Sequence, residues 1–174
     1  MTANRMPSTT PRSGFAMKLS LAMVLPLLLA ACTAPVPADP PPGTPAGPDA
    51  LAQVGRWNLQ GAVDAEGQVV AEALPGGNAV HAAVFADGRV SIEGGCNHIG
   101  GRYRVDGDGR LVVSEMQSTL MACEDAALMR ADGAVSALLE GSADWTIAES
   151  WPEQLSLRHA DGRRSHWVAD RRVR

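Results

Sequence analysis

Three copies of one triplet, Asp87-Gly88-Arg89, Asp108-Gly109-Arg110 and Asp161-Gly162-Arg163, each stand between two short β-prone runs. Asp and Gly tolerate the positive φ of tight turns, so each triplet predicts a hairpin and constrains the register of its two strands. The paired runs are Val80–Ala86 with Val90–Glu93, Gly101–Val105 with Leu111–Ser114, and Leu155–His159 with Ser165–Ala169. Within the second pair, Tyr103 and Val105 alternate with Arg102 and Arg104, as in a strand with one wet face. The turns resemble one another but the runs around them do not, so no internal duplication is inferred.

Between hairpins the period changes. Leu128, Ala131, Val135, Leu138 and Leu139 fall at helical spacing inside Glu124–Glu140, with Glu124 and Asp125 at the start and Gly141 after the end. This predicts one amphipathic helix with a glycine stop. Gly133 inside it costs about 1 kcal/mol relative to Ala and is expected to bend or split the helix. Further short strands are expected at Arg56–Leu59 and Trp145–Ala148. The expected fold class is therefore α+β: a curved, mainly antiparallel, barrel-like sheet with one packed helix.

The N-terminal part has another character. Leu19–Ala31 is a short apolar run preceded by Lys18, Arg12 and Arg5, with no acidic residue before Cys32. A spanning helix needs about 20 apolar residues, and Pro26 interrupts even this run, which instead suits a signal peptide. Leu27–Cys32, reading L-L-L-A-A-C, resembles the bacterial lipobox. That resemblance implies cleavage before Cys32 and acylation of Cys32, and several acyl chains give stable membrane anchoring. Met17 opens a shorter version of the same signal and is an alternative start to Met1. Thr33 stands where inner-membrane retention usually shows Asp, so the expected place is the periplasmic face of the outer membrane.

Thr33–Asp49 holds seven prolines, Pro35, Pro37, Pro40, Pro41, Pro42, Pro45 and Pro48, among Ala, Gly and Thr, and reads as a semi-rigid tether. The expected organisation is a signal at 1–31, a lipidated cysteine and tether at 32–49, and one folded domain at 50–174. Removing Arg5, Arg12 and Lys18 from 15 basic residues leaves 12 against 19 acidic ones, a formal charge of −7. Nucleic acid is excluded as a partner on that balance, since phosphates require basic patches. The one basic cluster, Arg163, Arg164, Arg171, Arg172 and Arg174, reads as a solvated end of the chain.

Two cysteines remain besides Cys32, and an even pair in an exported chain reads as a disulfide between Cys96 and Cys123. The alternative is a metal site on Cys96, His98 and Cys123, which falls short of the four ligands of a closed zinc site. His81, His98, His159 and His166 are scattered over expected strands and loops, outside any metalloprotease helix. Ser114, Ser118 and Ser165 lack the context of a nucleophile elbow. No catalytic residue, metal or cofactor is assigned.

Gly95-Cys96-Asn97, then Gly101 and Tyr103, then Ser118-Thr119-Leu120-Met121-Ala122-Cys123, resemble the two signature segments of the META domain, the family of HslJ-type heat-shock lipoproteins. Trp57 in Gly55-Arg56-Trp57 resembles the family's opening strand, and Leu155–Trp167 its closing hairpin. Gly94 and Gly95 would permit close backbone approach beside Cys96, and Asn97 would bond to local backbone and tolerate unusual φ. Ser118 or Thr119 would cap the turn into Cys123 and the helix. The resemblance implies a small envelope protein of stress tolerance and carries over no catalytic residue. Three readings follow: a lipid-anchored envelope-homeostasis protein acting through its surface, a periplasmic binding or inhibitory module of the lysozyme-inhibitor or secretin-pilot kind, and a hydrolase. The expected partners are the membrane, through the anchor, and an envelope protein or small ligand.

Overall fold

A computed structural model describes Gly47 and residues 49–171. The signal, Cys32 and nearly all of the tether therefore lie outside the described residues. The folded part starts with a short helix α1 (Ala50–Val54), followed by strands β1 (Arg56–Val63), β2 (Ala82–Ala86), β3 (Arg89–Glu93), β4 (Ile99–Val105) and β5 (Leu111–Ser118). Helix α2 (Ala126–Leu139) comes next, then β6 (Gly141–Ala148), β7 (Gln154–His159) and β8 (Arg164–Ala169). Each strand pairs antiparallel with its neighbours in sequence and β8 closes on β1, giving an eight-stranded barrel. The expected α+β class, with a barrel-like sheet and one main helix, is what the chain adopts.

The Asp-Gly-Arg triplets do close hairpins, in two ways. At the first, Asp87 (φ 49°) and Gly88 (φ 70°) both take left-handed conformations between paired Ala86 and Arg89. That is a two-residue turn matched to the twist of the strands. At the other two, Asp106 and Asp161 accept the amide two residues on through their side chains, and Gly109 and Gly162 supply the positive φ. Asp64–Gln68 repeats that loop without an Asp-Gly pair, Asp64 Oδ1 accepting from the amides of Glu66 and Gln68. The extra residues in these loops are what let one triplet serve two turn geometries.

Inward residues of the strands make the core. Trp57, Leu59, Phe85, Val90, Leu111, Val113, Leu155, Leu157 and Trp167 are buried and pack with Val135, Leu138 and Leu139 of α2. Tyr103 is half-buried and meets Phe85 edge-on, ring centroids 5.0 Å apart. The Trp57 indole donates to the Leu51 carbonyl at 3.2 Å, which fixes α1 on the start of β1. Neither α1 nor the two 3₁₀ turns at Ala71–Ala73 and Pro75–Gly77 was expected, because all three are too short for a period to show.

Helix α2 lies on the end of the barrel where β1 leads to β2, β3 to β4 and β5 to β6. Asp125 caps it, its carboxylate accepting from Ala127 N–H at 2.7 Å. Asp125 sits directly before the first helical residue, while in the segment leading to Cys123 the Ser118 hydroxyl donates to the Thr119 carbonyl and the Thr119 hydroxyl bonds to Asn97 and His98. The helix runs unbroken through Gly133, which faces solvent, so the expected break does not occur. At its C-terminus the Arg163 guanidinium reaches the carbonyls of Ala137 and Glu140, and His159 Nε2 donates to Leu138 O at 2.9 Å. These donors satisfy carbonyls that the helix leaves unpaired.

Candidate functional site

The Gly95-Cys96-Asn97 segment wraps one side chain that the sequence did not mark out. Asp132 projects from the buried face of α2 and is 3 % exposed. Its Oδ1 accepts from His81 Nε2 at 2.8 Å, and its Oδ2 from Asn97 N–H at 2.8 Å and Asn97 Nδ2 at 3.0 Å. Cys96 N–H adds longer contacts to both oxygens, at 3.2 and 3.3 Å. Two successive backbone amides around one carboxylate form an anion-binding nest, here filled from within the chain.

The Gly94-Gly95 pair makes that nest possible. Both take positive φ, 86° and 73°. A Cβ at Gly94 would overlap the Val80 carbonyl, and one at Gly95 would overlap the Asp132 carboxylate and the His81 imidazole. The two glycines are therefore required both by conformation and by space.

Asn97 also ties this loop to the second signature segment. Its Oδ1 accepts from Met121 N–H at 2.8 Å and from the Thr119 hydroxyl at 3.2 Å, and Thr119 Oγ1 accepts from His98 N–H at 3.0 Å. Asn97 thus bonds across the fold rather than to its local backbone, and its φ is not among the positive ones. The Cys96–Cys123 disulfide links the same two segments, with Cα atoms 6.2 Å apart. Because the two cysteines are bonded to each other, the alternative of a metal site with His98 is set aside. Among the described residues no group of three or more His, Cys, Asp or Glu side chains is gathered as metal ligands.

Electrostatics fit a structural carboxylate. Burial pushes the Asp132 pKa up, but hydrogen bonds from His81, Asn97 and Cys96 outweigh it and hold the group below the usual carboxylate range. His81 is buried, its side chain 0 % exposed, and its Nδ1 has no partner within the protein. A substrate would have no approach to this imidazole. His159 is held below its ordinary pKa by burial and by the Arg163 guanidinium, consistent with a neutral ring donating from Nε2. His166 is lowered by burial, while His98 lies on the surface.

Sequence reasoning placed Cys96, Asn97, Thr119 and Cys123 in one region and missed Asp132 and His81 as their hub. Trp57 and Tyr103 lie elsewhere, in the core and against Phe85. The available signal was Asp132 itself, four residues after Leu128 and three before Val135, a carboxylate on the apolar face of a helix. Above the hub the Thr119–Ala122 segment presents Leu120, 100 % exposed, and Met121, 50 % exposed.

A family model described as META domain matches residues 49–171. An NMR structure of a protein from Burkholderia xenovorans is similar at 24 % identity and a TM-score of 0.62, covering 77 % of this chain and 93 % of that one. A second NMR structure aligns at 21 % identity and a TM-score of 0.46, covering 71 % of this chain and 95 % of that one. No curated protein matches the chain.

Proposed function

The chain belongs to the META domain family, and from that premise we propose that it is a lipid-anchored envelope protein whose domain works by contact rather than by chemistry, in envelope homeostasis or stress tolerance. The observation that carries the reading is the use made of the acid and base at the signature. The Asp132 carboxylate is occupied by His81, Asn97 and Cys96, and the imidazole beneath it is closed to solvent. General acid–base catalysis requires a group within reach of a substrate proton. What the same framework holds outward is apolar: Leu120 and Met121, on a segment fixed by Asn97, Thr119 and the disulfide. A rigid apolar loop suits a protein-binding surface, since little conformational freedom is lost on docking. It equally suits the inhibitory or pilot-like reading, in which the partner is a lysozyme or a channel subunit.

The test is a paired substitution series in a deletion strain. Leu120→Ser and Met121→Ser are expected to keep the melting temperature and lose complementation of the envelope-stress phenotype. His81→Ala, His98→Ala, His159→Ala and His166→Ala are expected to lose function only in step with stability. A histidine variant that stays fully stable yet inactive would overturn the contact reading in favour of catalysis. Anchoring is tested separately by Cys32→Ser, which is expected to abolish lipid labelling and membrane fractionation.

A further inference from the structure

Trp151 stands apart from the other tryptophans. Trp57, Trp145 and Trp167 are 0, 6 and 0 % exposed, whereas Trp151, in the β6–β7 connection, is 80 % exposed. The surroundings of that connection are defined by hydrogen bonds. Ala169 N–H donates to Glu153 O and Asp170 N–H donates to Arg56 O, both at 2.9 Å. Arg171 pairs with the Glu153 carboxylate, its Nε donating at 3.1 Å, and Arg56 Nε lies 3.6 Å from Asp170. The β6–β7 connection, the start of β1 and the last described residues therefore share one end of the barrel, opposite α2.

That end is also where the folded chain begins. The 17 residues Thr33–Asp49 join it to Cys32. At about 3.1 Å per residue in an extended proline-rich conformation they would span about 53 Å. A lipid attached to Cys32 would thus hold this end of the barrel near the bilayer, at an effective concentration on the order of millimolar. Indole rings favour the headgroup level of a bilayer, with an apolar body and a polar N–H. The carboxylates of Glu153 and Asp170 beside the loop are paired with Arg171 and Arg56, which limits their repulsion from lipid phosphates, while Glu149 in the loop is exposed to water.

We infer that Trp151 is a membrane-interface contact, seating the tethered end of the barrel on the phospholipid surface and leaving the Leu120–Met121 end facing away from it. The inference rests on the lipid-anchored reading of Cys32. Its occupant is the lipid headgroup region, and because an indole partitions by its apolar body, the contact does not require anionic lipid.

The lipidated full chain, reconstituted into phosphatidylethanolamine–phosphatidylglycerol vesicles, supplies the test, because Trp151 is the one tryptophan open to solvent. Emission lost in Trp151→Phe identifies its share. That share is expected to be quenched by lipids brominated near the headgroup end of the acyl chain, to be shielded from iodide, and to persist in salt and in vesicles without phosphatidylglycerol. Trp151→Ala is expected to remove the lipid-quenched share of the emission without lowering the melting temperature. Iodide quenching without quenching by brominated lipid would overturn the inference. Shielding that arises only in whole envelopes would also overturn it and assign the end to a protein partner. Mass spectrometry of Cys32 separates the two readings: an unacylated cysteine sinks the anchor, while added brominated vesicles still decide the indole contact.

Discussion

Replacing Asp132 with Ala should be among the most damaging single changes in the domain, because its carboxylate is the shared acceptor of the signature loop. The substitution leaves the Cys96 and Asn97 amides, the Asn97 side-chain amide and His81 Nε2–H without their acceptor. A hydrogen bond to a charged group contributes about 1.5–3 kcal/mol, and a donor stranded in a buried place costs about 1–3 kcal/mol. These terms overlap, because the loop can relax toward solvent, so a loss of about 3–5 kcal/mol is expected, against a total stability of about 5–15 kcal/mol for a domain. Urea unfolding measures the loss, and hydrogen exchange should show the Cys96 and Asn97 amides losing protection while the strand amides keep theirs. The pH dependence has a definite sign. The folded pKa of Asp132 lies below its unfolded value, so its contribution is complete above about pH 4 and is lost as pH falls through the folded pKa. Asp132→Asn, which cannot titrate, should lack that part of the acid limb. A loss under about 1 kcal/mol in Asp132→Ala, with the two amides still protected, would refute the nest as the element that holds the signature loop.

Gly95→Ala should be at least as harmful as Asp132→Ala, because its Cβ would occupy the carboxylate's position and its φ is 73°; soluble yield and melting temperature are the measures. Gly133→Ala should instead stabilise by about 0.5–1 kcal/mol, since the site is an exposed helix interior with open space around the new methyl. Cys123→Ser should lower stability by about 3–4 kcal/mol, the chain-entropy value for a bridge closing 27 residues, and should do so only under oxidising conditions. His159 and His166 have folded pKa values below their unfolded ones, so their contribution is complete above about pH 6.5 and falls as pH drops toward the folded values. Unfolding followed from neutral to mildly acidic pH should show that decline, and His159→Gln should flatten part of it.

How far the fold was legible depended on the range over which each signal acts. Turns and periods are local, so the three Asp-Gly-Arg hairpins, the strands flanking them and the helix at Ala126–Leu139 could be read directly. Closure of β8 on β1 was expected only as curvature. It rests on pairs such as Trp57 with Ala169 and Leu59 with Trp167, more than a hundred residues apart, which no local pattern specifies. The helix is continuous at Gly133 for a related reason: a propensity cost of about 1 kcal/mol is small beside the burial of Ala131, Val135, Leu138 and Leu139.

The candidate site shows the complementary limit. Glycine, cysteine and asparagine at Gly95-Cys96-Asn97 announce a special loop but not what it binds, because a nest accepts any anion of the right size. The partner proves to be a carboxylate on α2, 35 residues away from Asn97. In sequence Asp132 appears as a flaw in an apolar stripe, and a charge on such a face is costly unless it is paired and hydrogen-bonded. A flaw of that kind carries information: it requires several donors, and unpaired amides are found at helix N-termini and in loops whose glycines free the backbone. Gly94-Gly95 was such a loop and His81 an imidazole of no evident role, so the violation of the helix pattern pointed toward both. The same logic separates two kinds of position. Where polar groups are mutually consumed, as at Asp132, the residues hold the fold, and where apolar side chains stand in solvent, as at Leu120, Met121 and Trp151, the fold itself makes no use of them.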